Sequence, residues 1–220
     1  MDFRILGSLE VAENGRSLAL GGTQQRALLA LLLIHRNRVL TTDRLVDELW
    51  GEHPPSTAVK TLQGYVSNLR KSLPAETIVT VGRGYMLSVA PDQVDVARFE
   101  AMVAEGRQAL ADGDPAIASQ RLSSGLALWH GAPLSDFAYQ SFAHSEIVRL
   151  EEIRLAALED RVDADLALGE HTALVGELET LAHEHPFLQQ GSDRDDKRQH
   201  HCVRNARPRS QQQRGREKKD

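Results

Sequence analysis

The chain has 220 residues, 41% of them hydrophobic and 26% charged, with a formal net charge of -5 at pH 7. Those fractions belong to a folded globular protein with room for about one and a half average domains, and they exclude a disordered or fibrous chain. The longest apolar run, Ala27 to Ile34, is eight residues, far short of the ~20 that cross a bilayer. The start, MDFRILGSLEV, lacks the basic flank and apolar stretch of a secretory signal, and the lone Cys202 cannot close an internal disulfide. A cytoplasmic protein without a membrane partner is expected.

The net charge hides three unlike segments. Residues 1–95 carry ten Lys/Arg and ten Asp/Glu, residues 96–186 carry six and sixteen, and residues 187–220 carry ten and five. An acidic middle repels phosphate, so any nucleic-acid contact is expected from the first segment. The last segment has too few apolar residues for a core and reads as a polar, basic, disordered tail.

In the first segment Phe3, Ile5, Leu9 and Val11 alternate at a period of two with Gly7 in register, which predicts one half-buried strand. Asn14-Gly15 is the preferred pair for a tight hairpin, and Arg16 to Leu20 is the return strand. Gly21-Gly22 breaks the chain, Thr23 is a candidate cap, and Gln24 to His35 reads as a helix. A second helix is expected from Thr41 or Thr42 through Leu45, Val46, Leu49 and Trp50, stopping at Gly51.

Pro54-Pro55 forbids helix and Ser56 is placed to cap a third one, roughly Thr57 to Leu73, ended by Pro74. At 100° per residue Val59, Leu62, Val66, Leu69 and Leu73 fall in one stripe that must face a core. The other side then presents Thr57, Lys60, Thr61, Gly64, Ser67, Asn68 and Lys71, flanked by Gln63 and Arg70, with no acid. Ile78 to Val81 and Tyr85 to Val89 read as strands joined by Gly82-Arg83-Gly84, which puts one arginine at a hairpin tip.

A helix face of cations and small hydrogen-bonding groups suits the major groove, where Lys60, Arg70 and Lys71 can reach phosphates or guanine edges. Gly64 in mid-helix costs roughly 1 kcal/mol against Ala, which points to a close neighbour such as a DNA backbone. A solvated helix face accounts for the charge alone equally well. Four basic residues against Glu76 between Lys60 and Tyr85 make only a modest footprint, so one copy should bind weakly.

FRILGSLEV, LTTDRLVDELWGEHPPSTAVKTLQGYVSNLRKSL and VTVGRGYMLSV resemble the OmpR-type winged helix of the AfsR/DnrI/RedD regulators. The resemblance implies that Thr57 to Leu73 is the recognition helix and Gly82-Arg83-Gly84 the wing tip. It also implies that tandem copies bind direct repeats in promoter DNA. An OmpR-type receiver domain would normally precede such a module, whereas this fold is expected to begin at residue 3.

In the second segment helical spacing runs from Val94 to about Leu110, then, after Gly113-Asp114-Pro115, to about Trp129. Gly131-Ala132-Pro133 precedes a long helix from about Phe142 to Leu168 with Gly169 as its cap, and another is expected from Thr172 to His185. These pairs look like degenerate tetratricopeptide repeats. The runs DVARFEAMVAEGRQALADGDPAIASQRLSSGLALWHGAPLSDF and FAHSEIVRLEEIRLAALEDRVDADLALGEH resemble the bacterial transcriptional activation domain of the same regulators, which implies RNA polymerase as a partner. After Pro186 the resemblance stops, and a truncated or altered end is expected.

Other chemistry is set aside. His183-Glu184-His185 has spacing that sends its rings apart on a helix, and His200-His201-Cys202 stands alone in the polar tail, so no metal is expected. No phosphate-binding loop of the GxxxxGK[ST] type occurs, and no nucleophile or acid–base set suggests an enzyme or a cofactor.

The fold class expected is α+β: a winged helix-turn-helix over 1–92, then an all-α tetratricopeptide-like domain over 93–186 and a tail over 187–220. The expected function is a sequence-specific transcriptional regulator. DNA is to be bound through Thr57, Lys60, Thr61, Gly64, Ser67, Asn68, Arg70, Lys71 and Arg83, with Arg70 and Arg83 chiefly on backbone or minor groove. The alternatives are a truncated DNA-binding antagonist and a helical-repeat interaction scaffold.

Overall fold

The computed structural model describes residues 1–170. The chain opens with strands β1 (Asp2–Arg4), β2 (Glu10–Glu13) and β3 (Arg16–Ser17), antiparallel in that order, with Phe3 opposite Val11 and Ala12 opposite Ser17. The β2–β3 turn is Asn14-Gly15, both left-handed at φ +50° and +77°, as the expected hairpin requires.

The single strand expected from Phe3 to Val11 is instead two strands with a loop between them. Backbone partners explain the break. The amides of Ile5 and Leu6 both donate to the Asp95 carboxylate at 2.9 Å. The carbonyls of Ile5, Leu6 and Gly7 accept from Leu134, His130 and Ser135 at 2.9, 3.0 and 3.2 Å. Residues 5–7 therefore hydrogen-bond to the second segment rather than to a neighbouring strand, and Ile5 and Leu6 are both buried. The return strand is also shorter than expected: β3 ends at Ser17, although the Leu18 amide still reaches the Val11 carbonyl at 2.8 Å.

Helix α1 (Thr23–Ile34) takes Gly22 as its N-cap, so Thr23 is its first turn rather than its cap. All seven residues from Ala27 to Leu33 are buried, which makes the apolar run the central helix of the first segment. Leu40–Thr41 forms a short strand, β4, absent from the sequence expectation because two residues carry no readable period. Helix α2 (Thr42–Trp50) follows, with the Thr41 hydroxyl accepting from the Arg44 amide at 3.3 Å and Gly51 ending it at φ +62°. Helix α3 (Ala58–Ser72) is capped at Thr57, not Ser56. Strands β5 (Ile78–Val81) and β6 (Gly84–Leu87) complete a second antiparallel sheet in the order β4-β6-β5.

Leu62, Val66, Leu69 and Leu73 enter the core as expected, but Val59 does not; it is 47% exposed and Ala58 is buried in its place. Ala58 and Val59 lie on opposite edges of the apolar stripe, and the core takes the Ala58 side.

The second segment begins with a 3-10 turn at Pro91–Gln93, followed by α4 (Asp95–Ala111) and α5 (Pro115–Leu126), whose N-cap Asp114 accepts from the Ile117 amide at 3.1 Å. A 3-10 turn at Ser135–Phe137 leads into the long helix α6 (Ser141–Ala167). Helix α5 packs against both α4 and α6. Phe99 meets the Trp129 ring edge-on at 5.3 Å and the Arg154 guanidinium lies over the same indole at 4.8 Å. The helix expected over Thr172–His185, the two histidine clusters and the basic tail lie outside the described residues.

The two segments share a continuous core. Phe3 bridges Val94, Arg98 pairs with Asp2 at 2.8 Å, and Arg26 pairs with Asp136. Glu100 on α4 joins Arg36, in the turn after α1 (3.4 Å), to Arg149 of α6 (2.7 Å), and Arg149 also binds Glu146 at 2.6 Å. Burial pushes the Asp95 carboxyl above its ordinary range, opposed by the amides of Leu6, Ile5 and Val96 that donate to it. Among the described residues no helix is long and apolar enough to cross a membrane.

Candidate nucleic-acid interface

Helix α3 is set by its neighbours on two sides. Toward α2, Tyr65 stacks on Trp50 with ring centroids 6.3 Å apart and planes 11° from parallel. Toward the β5–β6 hairpin, Arg70 donates from Nε to the Ile78 carbonyl at 2.9 Å and from a terminal nitrogen to the Thr80 hydroxyl at 2.8 Å. Its guanidinium also lies 5.9 Å from the centre of the Tyr85 ring. Between these supports Lys60, Gly64, Ser67, Asn68 and Lys71 are exposed together with Thr57, and Thr61 is half-buried.

That face is open and cationic. Lys60 and Lys71 form no ion pair among the described residues, whereas five of the six arginines from Arg98 to Arg161 and four of the eight from Arg4 to Arg83 do. The last turn of α3 carries Arg70 and Lys71, which suit its negative dipole end. Among the described residues nothing lies within 4 Å of a Cβ placed on Gly64, so no packing among them requires glycine there.

The hairpin tip is also fixed. Thr42 donates to the Arg83 carbonyl from its amide and from its hydroxyl, both at 2.9 Å. A Cβ on Gly84 would sit 2.2 Å from the Leu40 carbonyl oxygen, so only glycine lets β6 lie this close to β4. The Arg83 side chain remains exposed beyond these anchors, without an ion pair among the described residues.

All nine residues singled out in the sequence thus fall on α3, its cap or the hairpin tip. Eight of them point polar or small groups outward or lie at the edge of the open face. Arg70 differs, because its Nε and one terminal nitrogen already donate to the hairpin. Thr42, Thr80 and Tyr85, which hold Arg70 and Arg83 in place, were not singled out; their partners are distant in sequence and leave no local periodicity.

Comparison with known proteins fits this geometry. Residues 15–87 match the model of the transcriptional regulatory protein C-terminal family, and residues 94–191 match that of the bacterial transcriptional activator domain. Regulatory protein DnrI of Streptomyces peucetius is 36% identical over 198 residues, covering 85% of this chain and 73% of its own length. The chain belongs to the AfsR/DnrI-type family of transcriptional regulators. Regulatory protein AfsR of Streptomyces coelicolor is 39% identical over 186 residues, 84% of this chain but 19% of AfsR. A solved structure of Mycobacterium tuberculosis EmbR in complex with a low affinity phosphopeptide aligns with a TM-score of 0.81 at 37% identity, covering 84% of this chain and 50% of that one. The chain therefore spans only part of its longer relatives. As a member of this family it is a DNA-binding transcriptional regulator, with a winged-helix region followed by a helical domain.

Proposed function

We propose that α3 enters the major groove of promoter DNA while Arg83 reaches the flanking minor groove or its phosphates. The winged helix over 1–92 is the DNA-reading part, and the helices over 93–186 are the part that meets the transcription machinery. Thr57, Lys60, Thr61, Ser67, Asn68 and Lys71 contact phosphates and base edges, and Gly64 lets the backbone approach closely. The observation that carries this reading is an α3 face with no carboxylate and two lysines that form no ion pair among the described residues.

The footprint of one copy is small, which favours tandem copies on direct repeats; the acidic charge of the helical segment favours a protein partner such as RNA polymerase over a second nucleic acid. A gel-shift titration on a duplex with one repeat and on a duplex with two tests the first point. The second duplex should bind cooperatively, and equal affinity per repeat would contradict it. Reconstituted transcription on the two-repeat template tests the second point. Stimulation is expected, and occupancy without stimulation would mark an antagonist.

A further inference from the structure

Arg70 lies at the border of the open α3 face and would ordinarily be counted among the groups that touch DNA. Its geometry points elsewhere. All the contacts recorded for its guanidinium run to the β5–β6 hairpin: the Ile78 carbonyl at 2.9 Å, the Thr80 hydroxyl at 2.8 Å and the Tyr85 ring at 5.9 Å. An arginine fork fixed at two acceptors and one aromatic face is pre-organised and loses these partners if it swings to a phosphate. Lys71 next to it and Lys60 ten residues earlier have no such engagement among the described residues.

We infer that Arg70 is a positioning residue: it ties the recognition helix to the wing and so sets the distance between the α3 contacts and Arg83. The inference rests on the DNA-binding reading above. Beyond the pairing of β6 with β4, two residues then hold the wing, Arg70 from α3 and Thr42 from α2, the latter gripping the Arg83 carbonyl from both amide and hydroxyl at 2.9 Å. Loss of Arg70 frees the hairpin to sample orientations in which Arg83 no longer meets the duplex when α3 does. The charge of Arg70 is secondary to its shape.

A double-mutant cycle tests this, with affinity measured on a duplex selected from a randomised library by the wild-type protein. Arg83→Ala should weaken binding about tenfold. Arg70→Ala should weaken it by a similar factor, and the double variant should be no more than about twofold worse than either alone, because both remove one contact. Arg70→Lys keeps the charge but not the fork, so it should behave like Arg70→Ala. Thr80→Val, which leaves the arginine in place, should weaken binding about twofold to threefold and reduce protection of the flanking minor groove.

Losses from Arg70 and Arg83 that multiply, or full rescue by Arg70→Lys, would overturn the inference and make Arg70 a direct phosphate contact. If Lys60→Ala and Lys71→Ala also leave affinity untouched, the DNA-binding reading itself fails. If those two weaken binding while the cycle is additive, only the role of Arg70 fails.

Discussion

Two cationic regions of this chain are built in opposite ways. At the junction between the segments, Arg26, Arg36, Arg98 and Arg149 each meet a carboxylate, and these pairs tie α1 to the 3-10 turn at Asp136, the first strand to α4, and the turn after α1 to α4 and α6. On the outward side of α3 and at the wing tip, Lys60, Lys71 and Arg83 meet none among the described residues. A charge that already has a partner gives up that partner to bind a ligand, whereas an exposed free one releases only water and counterions. The junction is therefore structural, and the open face is where an anion is received.

The largest effect that would separate the two regions lies at Asp95. It is 1% exposed and accepts from three backbone amides. Asp95→Ala leaves those donors buried without an acceptor and should lower stability by about 3 kcal/mol in denaturant titration. Affinity per folded molecule for DNA should be unchanged. The same group has a pH signature. Its carboxyl sits above the ordinary value of 3.8, chiefly through desolvation, so the folded state holds the proton more tightly than the unfolded chain. Its contribution to stability should rise as pH falls through the window just above 3.8. On acidification wild type should gain stability relative to Asp95→Asn, and a relative loss would contradict the sign.

A smaller effect is expected at the wing. Gly84→Ala would place a methyl against the Leu40 carbonyl and force β6 from β4, costing about 2 kcal/mol in stability. It should also weaken DNA binding, because Arg83 is displaced. Lys71→Ala should leave stability within about 0.5 kcal/mol of wild type and reduce the slope of log affinity against log salt by about one.

The smallest and sharpest test is Gly64→Ala. Among the described residues no atom lies within 4 Å of the added methyl, so thermal stability should rise by roughly 0.5–1 kcal/mol. Affinity should fall if a duplex backbone occupies that space. A variant that gains in both would show that nothing approaches Gly64.

What could be read from the sequence follows the same division. Elements defined by local signals emerged closely: α2 from Thr41 to Gly51, the Asn14-Gly15 turn, the Gly82-Arg83 tip and α6 within one residue at each end. The break of the first strand did not, because its amides turn to Asp95, ninety residues away in the case of Ile5. The two-residue β4 is equally silent, being defined by its pairing of Leu40 with Tyr85 and Thr41 with Gly84 rather than by propensity. On α3 the helical period located the open face, yet it placed Val59 in the core where Ala58 lies, an error of one residue at the stripe's edge. Side-chain type identified Arg70 as a cation but carried no sign of the Ile78 carbonyl and Thr80 hydroxyl that hold it.

The decisive measurement is the salt dependence of binding to a selected duplex by wild type and by the triple variant Lys60→Ala, Lys71→Ala, Arg83→Ala. A major-groove seat for α3 with the wing alongside predicts a slope shallower by about two to three and a folded, thermally unchanged protein. An identical slope in the two proteins would place the duplex on some other surface.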